Sequence, residues 1–270
     1  MGGKKGAAPT FCVVLVGPEY DVNVGMAARV MKNFGFSDLR IAGPKCGLGA
    51  DAVKFSKHAV GLLKKAKRYG TLREAVGDCG LVVGTTGILK RNKGTIRAAV
   101  PLKKFCAGLG ERGGQRIALV FGREGIGLNE KEISACDLLV HAETHAGYPV
   151  LNLSHAVAVV LYSIDSGMAK AGFARTKMGG YEYPREKGGA PPSSWGEERL
   201  SPSERRALTH MFNKMAARYR LRNPGRCKVA FARVLARANP TKDEGHALLN
   251  VFRLALEELG VKDDAQTDSQ

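Results

Sequence analysis

Acidic side chains are in short supply in this chain. Asp and Glu number 25 against 42 Lys and Arg, a formal net charge of +17 over 270 residues. The excess is spread along the sequence, which points to a partner rich in negative charge, a polyphosphate backbone first of all. A basic surface kept for solubility is the plainer alternative. Long apolar runs are missing too. None reaches the ~18 residues of a membrane span, so no membrane partner is expected. The start, Met1-Gly-Gly-Lys-Lys-Gly6, has no signal-peptide core behind it, and Gly6 stands where a myristoylation signal needs Ser or Thr. Paired cysteines are the third absence. Cys12, Cys46, Cys79, Cys106, Cys136 and Cys227 are scattered without a Cys-x-x-Cys motif, which argues against a disulfide framework or a zinc site and for a reducing, cytoplasmic location. His141, His145 and His155 lack a carboxylate or thiolate at helical spacing, so no metal is expected. No internal repeat is visible.

What is present is a series of short apolar runs, each ending in glycine or a turn. Phe11 to Val16, Leu39 to Ala42, Leu81 to Val83, Ile117 to Phe121 and Leu138 to His141 read as strands. Between them lie helical patterns: about Val24 to Phe34, after a loop from Glu19 to Gly25, then Asp51 to Lys67, and Leu72 to Val76. A long one runs from about Leu151 to Lys170. Strands alternating with helices predict an α/β domain on a mainly parallel sheet. The run Ile117 to Phe121 breaks into Gly122-Arg-Glu-Gly-Ile-Gly127, with Asn129 and Glu132 placed to cap a following helix. A bare-backbone loop between a strand end and a helix start is where open α/β sheets hold small molecules. A tight turn without a ligand is the other reading.

Composition changes from Gly172 to Glu198, where Gly179-Gly180, Gly188-Gly189 and Pro191-Pro192 predict a linker. Three helices follow, opened by Ser201-Pro-Ser-Glu204, Asn223-Pro224 and Thr241-Lys-Asp-Glu244. The first has an expected apolar face of Leu208, Met211, Phe212, Met215 and Tyr219, the second of Cys227, Ala230, Phe231, Val234, Leu235 and Ala238, and the third of Leu248, Leu249, Phe252, Ala255, Leu256 and Leu259. The expected organisation is a basic, disordered 1–10, an α/β domain over 11–171, a linker over 172–198, a helical domain over 199–260 and a disordered 261–270.

Three blocks stand in order: Asn23-Val-Gly-Met-Ala-Ala-Arg29, Phe121-Gly-Arg-Glu-Gly-Ile-Gly-Leu128, and Tyr148-Pro-Val-Leu-Asn-Leu-Ser154. They resemble the three motifs of the SPOUT-class RNA ribose 2'-O-methyltransferases, the TrmH-like family, over residues 11 to about 169. The tail, with Asn223-Pro-Gly-Arg226 and Arg237-Ala-Asn-Pro240, is similar to the C-terminal extension of the TrmJ branch. The resemblance implies S-adenosylmethionine as methyl donor, no metal, a homodimer, a C-terminal trefoil knot in the α/β domain, and tRNA as substrate at nucleotide 32 of the anticodon loop. It implies a cofactor pocket from Thr85, Thr86, Gly87, Gly122, Ala142, Pro149, Val150 and Leu151.

Within that resemblance Arg29 is the motif-one arginine. Guanidinium groups stay protonated in nearly any protein environment, so stabilising a developing alkoxide while gripping the adjacent phosphate suits it better than base catalysis. Asn23 is expected to fix the loop that orients Arg29. Glu124 either positions Arg29 or substrate, or pairs with a neighbouring cation. Asn152 and Ser154 cap the long helix or touch substrate. The branch often has Ala at the position of Ser154. Lys90, Arg91, Lys93, Arg97, Arg226, Arg233 and Arg237 are the expected RNA contacts. Two readings of other classes compete. A dinucleotide oxidoreductase needs Gly-x-Gly-x-x-Gly after an early strand, whereas here the order is Gly-x-x-Gly-x-Gly and late. A non-catalytic RNA-binding protein is opposed by the intact Arg29 and glycine loop.

Overall fold

Cys12 to Val16 is a run with no polar residue, and it is buried on both faces, as a central parallel strand requires. In the computed structural model, which describes residues 8–87, 99–176, 179–182, 198–219 and 221–261, this run is β1 (Thr10–Val16). Around it stand β2 (Leu39–Ala42), β3 (Lys67–Tyr69), β4 (Leu81–Thr85), β5 (Val100–Pro101), β6 (Arg116–Phe121) and β7 (Leu138–His141). The order is β3-β2-β1-β6-β4-β7-β5, and every pairing is parallel. One face buries Cys12, Val14, Ala118, Val120 and Val82 with Leu72, Ala75 and Val76 of α4 (Leu72–Ala75) and its C-cap. The alternate residues Val13, Leu15, Leu119 and Phe121 are buried on the opposite side.

The helices of this unit are α1 (Asp21–Asn33), α2 (Ala50–Ser56), α3 (Val60–Lys64), α5 (Leu102–Ala107), α6 (Glu130–Ser134) and α7 (Leu153–Lys170), with α7 packed on α1 and α5. Differences from the sequence reading have local causes. α1 starts at Asp21, four residues before the expected loop ends, and its Asp21 carboxylate accepts from the backbone N–H groups of Leu48 and Gly49. The helical stretch 51–67 breaks at Lys57, whose φ is +50°, resumes as α3 and ends before β3. The short β5 and α5 carry too few residues for a periodic signal. Part of the expected linker is structured. β8 (Ala174–Arg175) and β9 (Tyr181–Glu182) form a hairpin whose Tyr181 ring meets Phe11 and Phe36 edge-on and whose hydroxyl donates to Asp165 at 3.1 Å.

Beneath the sheet Arg40 is almost fully buried. It reaches both carboxylates of Asp38 and Asp78 and donates to the Ala75 carbonyl at 2.6 Å. Hydrogen bonding to Arg40 holds the Asp78 carboxyl well below the usual carboxylate range. At Asp38 burial pushes the other way, but Arg40 and Arg116 outweigh it.

The chain divides into two compact units, and the second comprises α8 (Pro202–Arg218), α9 (Pro224–Ala238) and α10 (Lys242–Glu258). The expected caps form: Ser201 and Thr241 each make a full capping box, and the Asn223 side chain accepts from Arg226 N–H. Phe212 stacks on Phe231 at 4.0 Å, and both meet Phe252 beside Leu208 and Leu235. Tyr219, Ala230, Val234, Ala238 and Leu248 of the expected apolar faces are exposed instead, because three short helices bury only a narrow seam.

Candidate active site

The glycine loop closes on itself. Arg123 N–H donates to Gly127 O at 3.2 Å and Gly127 N–H returns to Arg123 O at 3.0 Å. A Cβ on Gly122 would lie 2.2 Å from the Gly127 carbonyl carbon, so only glycine permits this turn. The loop runs into α6 through a capping box of Asn129 and Glu132. Glu132 also takes both outer nitrogens of Arg123, at 2.8 and 2.6 Å. Burial pushes the Glu132 carboxyl up, but Arg123 and the Asn129 N–H outweigh it and hold it below its ordinary value. The capping spacing was readable in the sequence; the pairing with Arg123 was not, because it needs the loop to double back.

The next residue, Glu124, points the other way. Its Oε2 accepts from Glu19 N–H at 3.0 Å and its Oε1 from Asn23 Nδ2 at 2.9 Å. Asn23 sits buried in the first turn of α1, not in a loop as expected. Its Oδ1 accepts from Asn152 Nδ2 at 3.2 Å. Asn152 caps α7 by accepting from Ser154 N–H at 2.9 Å and from the Ser154 hydroxyl at 2.8 Å. One polar chain, Glu124–Asn23–Asn152–Ser154, therefore ties together the three sequence blocks. Ser154 lies buried within it, with its oxygen 3.7 Å from Met26 Sδ.

Arg29 is not part of this chain. It lies six residues past Asn23, about 9 Å farther along the helix axis and on another side of it. It is exposed and makes no side-chain hydrogen bond or ion pair among the described residues. Glu124 does not bond Arg29 within one chain; it holds α1, the helix that carries Arg29, through Asn23.

The loops expected to hold a cofactor do converge. β4 lies between β6 and β7, so Thr85 to Gly87, Gly122 and Ala142 follow three adjacent strand ends. The Thr85 hydroxyl donates to Val120 O at 3.0 Å and Thr86 N–H to Val140 O at 3.0 Å, which locks the ends together. A Cβ on Gly87 would lie 3.3 Å from Pro149 O and from Val150 Cα, bringing in the start of α7. Thr144 donates to Pro149 O at 3.0 Å, and Val150 is exposed beside Leu151. No charged side chain lies among these eight residues. Main-chain amides and carbonyls with small or apolar neighbours suit an uncharged, flat heterocycle such as adenine.

Lys90, Arg91, Lys93 and Arg97 lie outside the described residues. Within the helical unit Arg226 and Arg237 are exposed on α9, and Arg233 is half-buried. Among the described residues no group of three His, Cys, Asp or Glu is placed to hold a metal, and no helix is long and apolar enough to cross a membrane.

Comparison with known proteins gives a consistent result. The profile of the SpoU rRNA Methylase family matches residues 10–162. The tRNA (cytidine-2'-O-)-methyltransferase TrmJ of Methanocaldococcus jannaschii is 35% identical over 244 residues, covering 89% of this chain and 97% of that protein. The tRNA (cytidine/uridine-2'-O-)-methyltransferase TrmJ of Escherichia coli O6:K15:H31 is 28% identical over 245 residues, 89% of this chain and 91% of that protein. In fold, the chain is similar to the crystal structure of TrmJ from Z. mobilis ZM4, with a TM-score of 0.64 at 23% identity, over 92% of this chain and 99% of that one.

Proposed function

The chain belongs to the SpoU rRNA Methylase family, and from that premise we propose that it methylates a ribose 2'-hydroxyl of tRNA with S-adenosylmethionine as donor. The observation that carries this reading is the identity with tRNA 2'-O-methyltransferases along nearly the whole chain, tail included. The polar chain joining the three motif blocks supports it. Nucleotide 32 of the anticodon loop is the target we propose.

Thr85, Thr86, Gly87, Gly122, Ala142, Pro149, Val150 and Leu151 would hold the cofactor through main-chain groups. Bound there, S-adenosylmethionine supplies a methyl group on a positively charged sulfur. Catalysis then consists largely of aligning the ribose oxygen with that methyl group. Glu124, Asn23 and Asn152 hold the glycine loop, α1 and α7 in one register, which would fix the proposed cofactor loops relative to the helix that carries Arg29. Arg29 would stabilise charge developing on the ribose oxygen and grip the neighbouring phosphate. Lys90, Arg91, Lys93, Arg97, Arg226, Arg233 and Arg237 would bind the RNA backbone.

Arg29 faces solvent in the single chain, and exposed Met26, Val159 and Tyr162 lie on the same pair of helices, α1 and α7. A second copy covering this face would bury them and complete the site, so the active form is a homodimer. The β4–β5 and β6–β7 connections overlap in strand order, which supports the trefoil threading implied by the resemblance. The proposed division is 1–10, 11–171, 172–198, 199–260 and 261–270, with the hairpin assigned to the first unit. Six free thiols fit a cytoplasmic location.

The test is transfer of tritiated methyl to unmodified tRNA, with the product nucleotide mapped by mass spectrometry. Label on the ribose of nucleotide 32 is expected. No transfer to any RNA would overturn the reading, and transfer to another nucleotide would overturn the site alone.

A further inference from the structure

Between Glu204 and Asp243 the chain contains no acidic residue, while Arg218, Arg220, Arg222, Arg226 and Lys228 fall within one short stretch of it. Apart from Arg220, which lies outside the described residues, that stretch runs from the end of α8 into the start of α9. Arg218 ends α8, Tyr219 leaves the helix in an extended conformation, and Arg226 lies in the first turn of α9. Arg218, Arg222 and Arg226 are exposed, and none makes an ion pair among the described residues. The neighbouring sequence supplies no carboxylate to neutralise them, so like charges gather in this stretch. The other aromatic residues described in this unit, Phe212, Phe231 and Phe252, form its core. Tyr219 does not join them: it is 52% exposed, beside Leu221 at 37%. An exposed ring that is flanked in the chain by exposed arginines without ion pairs matches an unpaired nucleotide, whose base offers a flat face and whose phosphates offer charge. A duplex keeps its bases stacked inside and offers phosphates alone.

We propose that the α8–α9 corner is a platform for an unpaired RNA nucleotide, with Tyr219 stacking on the base and Arg218, Arg222 and Arg226 holding the flanking phosphates. It rests on the reading of tRNA as substrate and adds the structural state of the nucleotide recognised. The corner selects single-stranded loops over paired stems, and the ring is tolerant of base identity because every base has a stacking face.

The test uses the full chain and three probes: unmodified tRNA, a fluorescent single-stranded oligonucleotide, and a blunt RNA duplex of the same length. Tyr219→Ala should weaken the single strand about tenfold and leave its salt dependence unchanged, with Tyr219→Phe near wild type. The duplex should bind both variants as it binds wild type. Replacing Arg218, Arg222 and Arg226 together by Gln should lower the salt slope for the single strand by about two. Equal affinity of Tyr219→Ala and wild type for the single strand would overturn the proposal. So would an equal loss on single strand and duplex. Wild-type protein that neither binds nor methylates tRNA would instead bring down the underlying reading, and this one with it.

Discussion

Arg123 and Glu132 face each other across the glycine loop in a bidentate pair, at 2.8 and 2.6 Å, with both side chains nearly out of solvent. The pair joins the first residue after Gly122 to the cap of α6, so the loop cannot open without breaking two charge-assisted hydrogen bonds. Glu132→Gln should therefore loosen the glycine loop proposed to hold the cofactor. We expect KM for S-adenosylmethionine to rise about tenfold with a smaller change in kcat, at a stability cost of about 1.5–3 kcal/mol. Unchanged KM with reduced stability would make the pair structural only.

Arg29 stands outside the hydrogen-bonded chain, so removing it should leave the fold alone. Arg29→Ala is expected to cut methyl transfer by about 10²–10³-fold while melting temperature and cofactor affinity stay at wild-type values. Isothermal titration and single-turnover transfer separate the two. Full turnover by the variant would end the assignment.

The homodimer reading predicts that Tyr162→Arg yields monomers by light scattering and loses activity with its fold intact. Tyr162 is 62% exposed, so the single chain tolerates the change. A fully active monomer would contradict it.

Gly25 lies where α1 crosses α2. A Cβ there would sit 2.4 Å from the Ala52 carbonyl oxygen and 3.0 Å from Ser56 N, both backbone atoms that cannot swing aside. Gly25→Ala should cost about 1–3 kcal/mol in urea denaturation and displace α1 from the Glu124–Asn23 contact.

The Arg40 cluster sets an acid limit. Asp38 and Asp78 have carboxyls held below their ordinary value of 3.8, so each contributes stability that is complete above that pH. As pH falls below 3.8 towards the folded-state values, both protonate and that contribution is lost. Urea midpoints should therefore drop steeply below about pH 4. Asp78→Asn should flatten that drop while lowering stability at pH 7. An identical pH profile in the variant would refute the cluster's role.

Parallel strands announce themselves because burial on both faces demands unbroken apolar runs, as in Cys12 to Val16 and Ile117 to Phe121. Capping boxes at Asn129, Ser201 and Thr241 are equally local, since the cap and its partner lie three residues apart. β3, β5 and the β8–β9 hairpin have two or three residues each, too few for a period, and exist because neighbours pair with them.

The sequence by itself determined the strand and helix series, the glycine turn, the basic surface and the three motif blocks, because each depends on residues within a few positions of one another. Which of those residues meet was decided by the tertiary structure alone. Glu124 and Asn23 are 101 positions apart and Asn23 and Asn152 are 129 apart. Their contacts arise from how α1 and α7 pack beside the glycine loop, and Arg29 stays exposed because it lies on another side of α1. Local pattern cannot encode such neighbours, since a side chain's partner across a sheet depends on how every intervening segment packs.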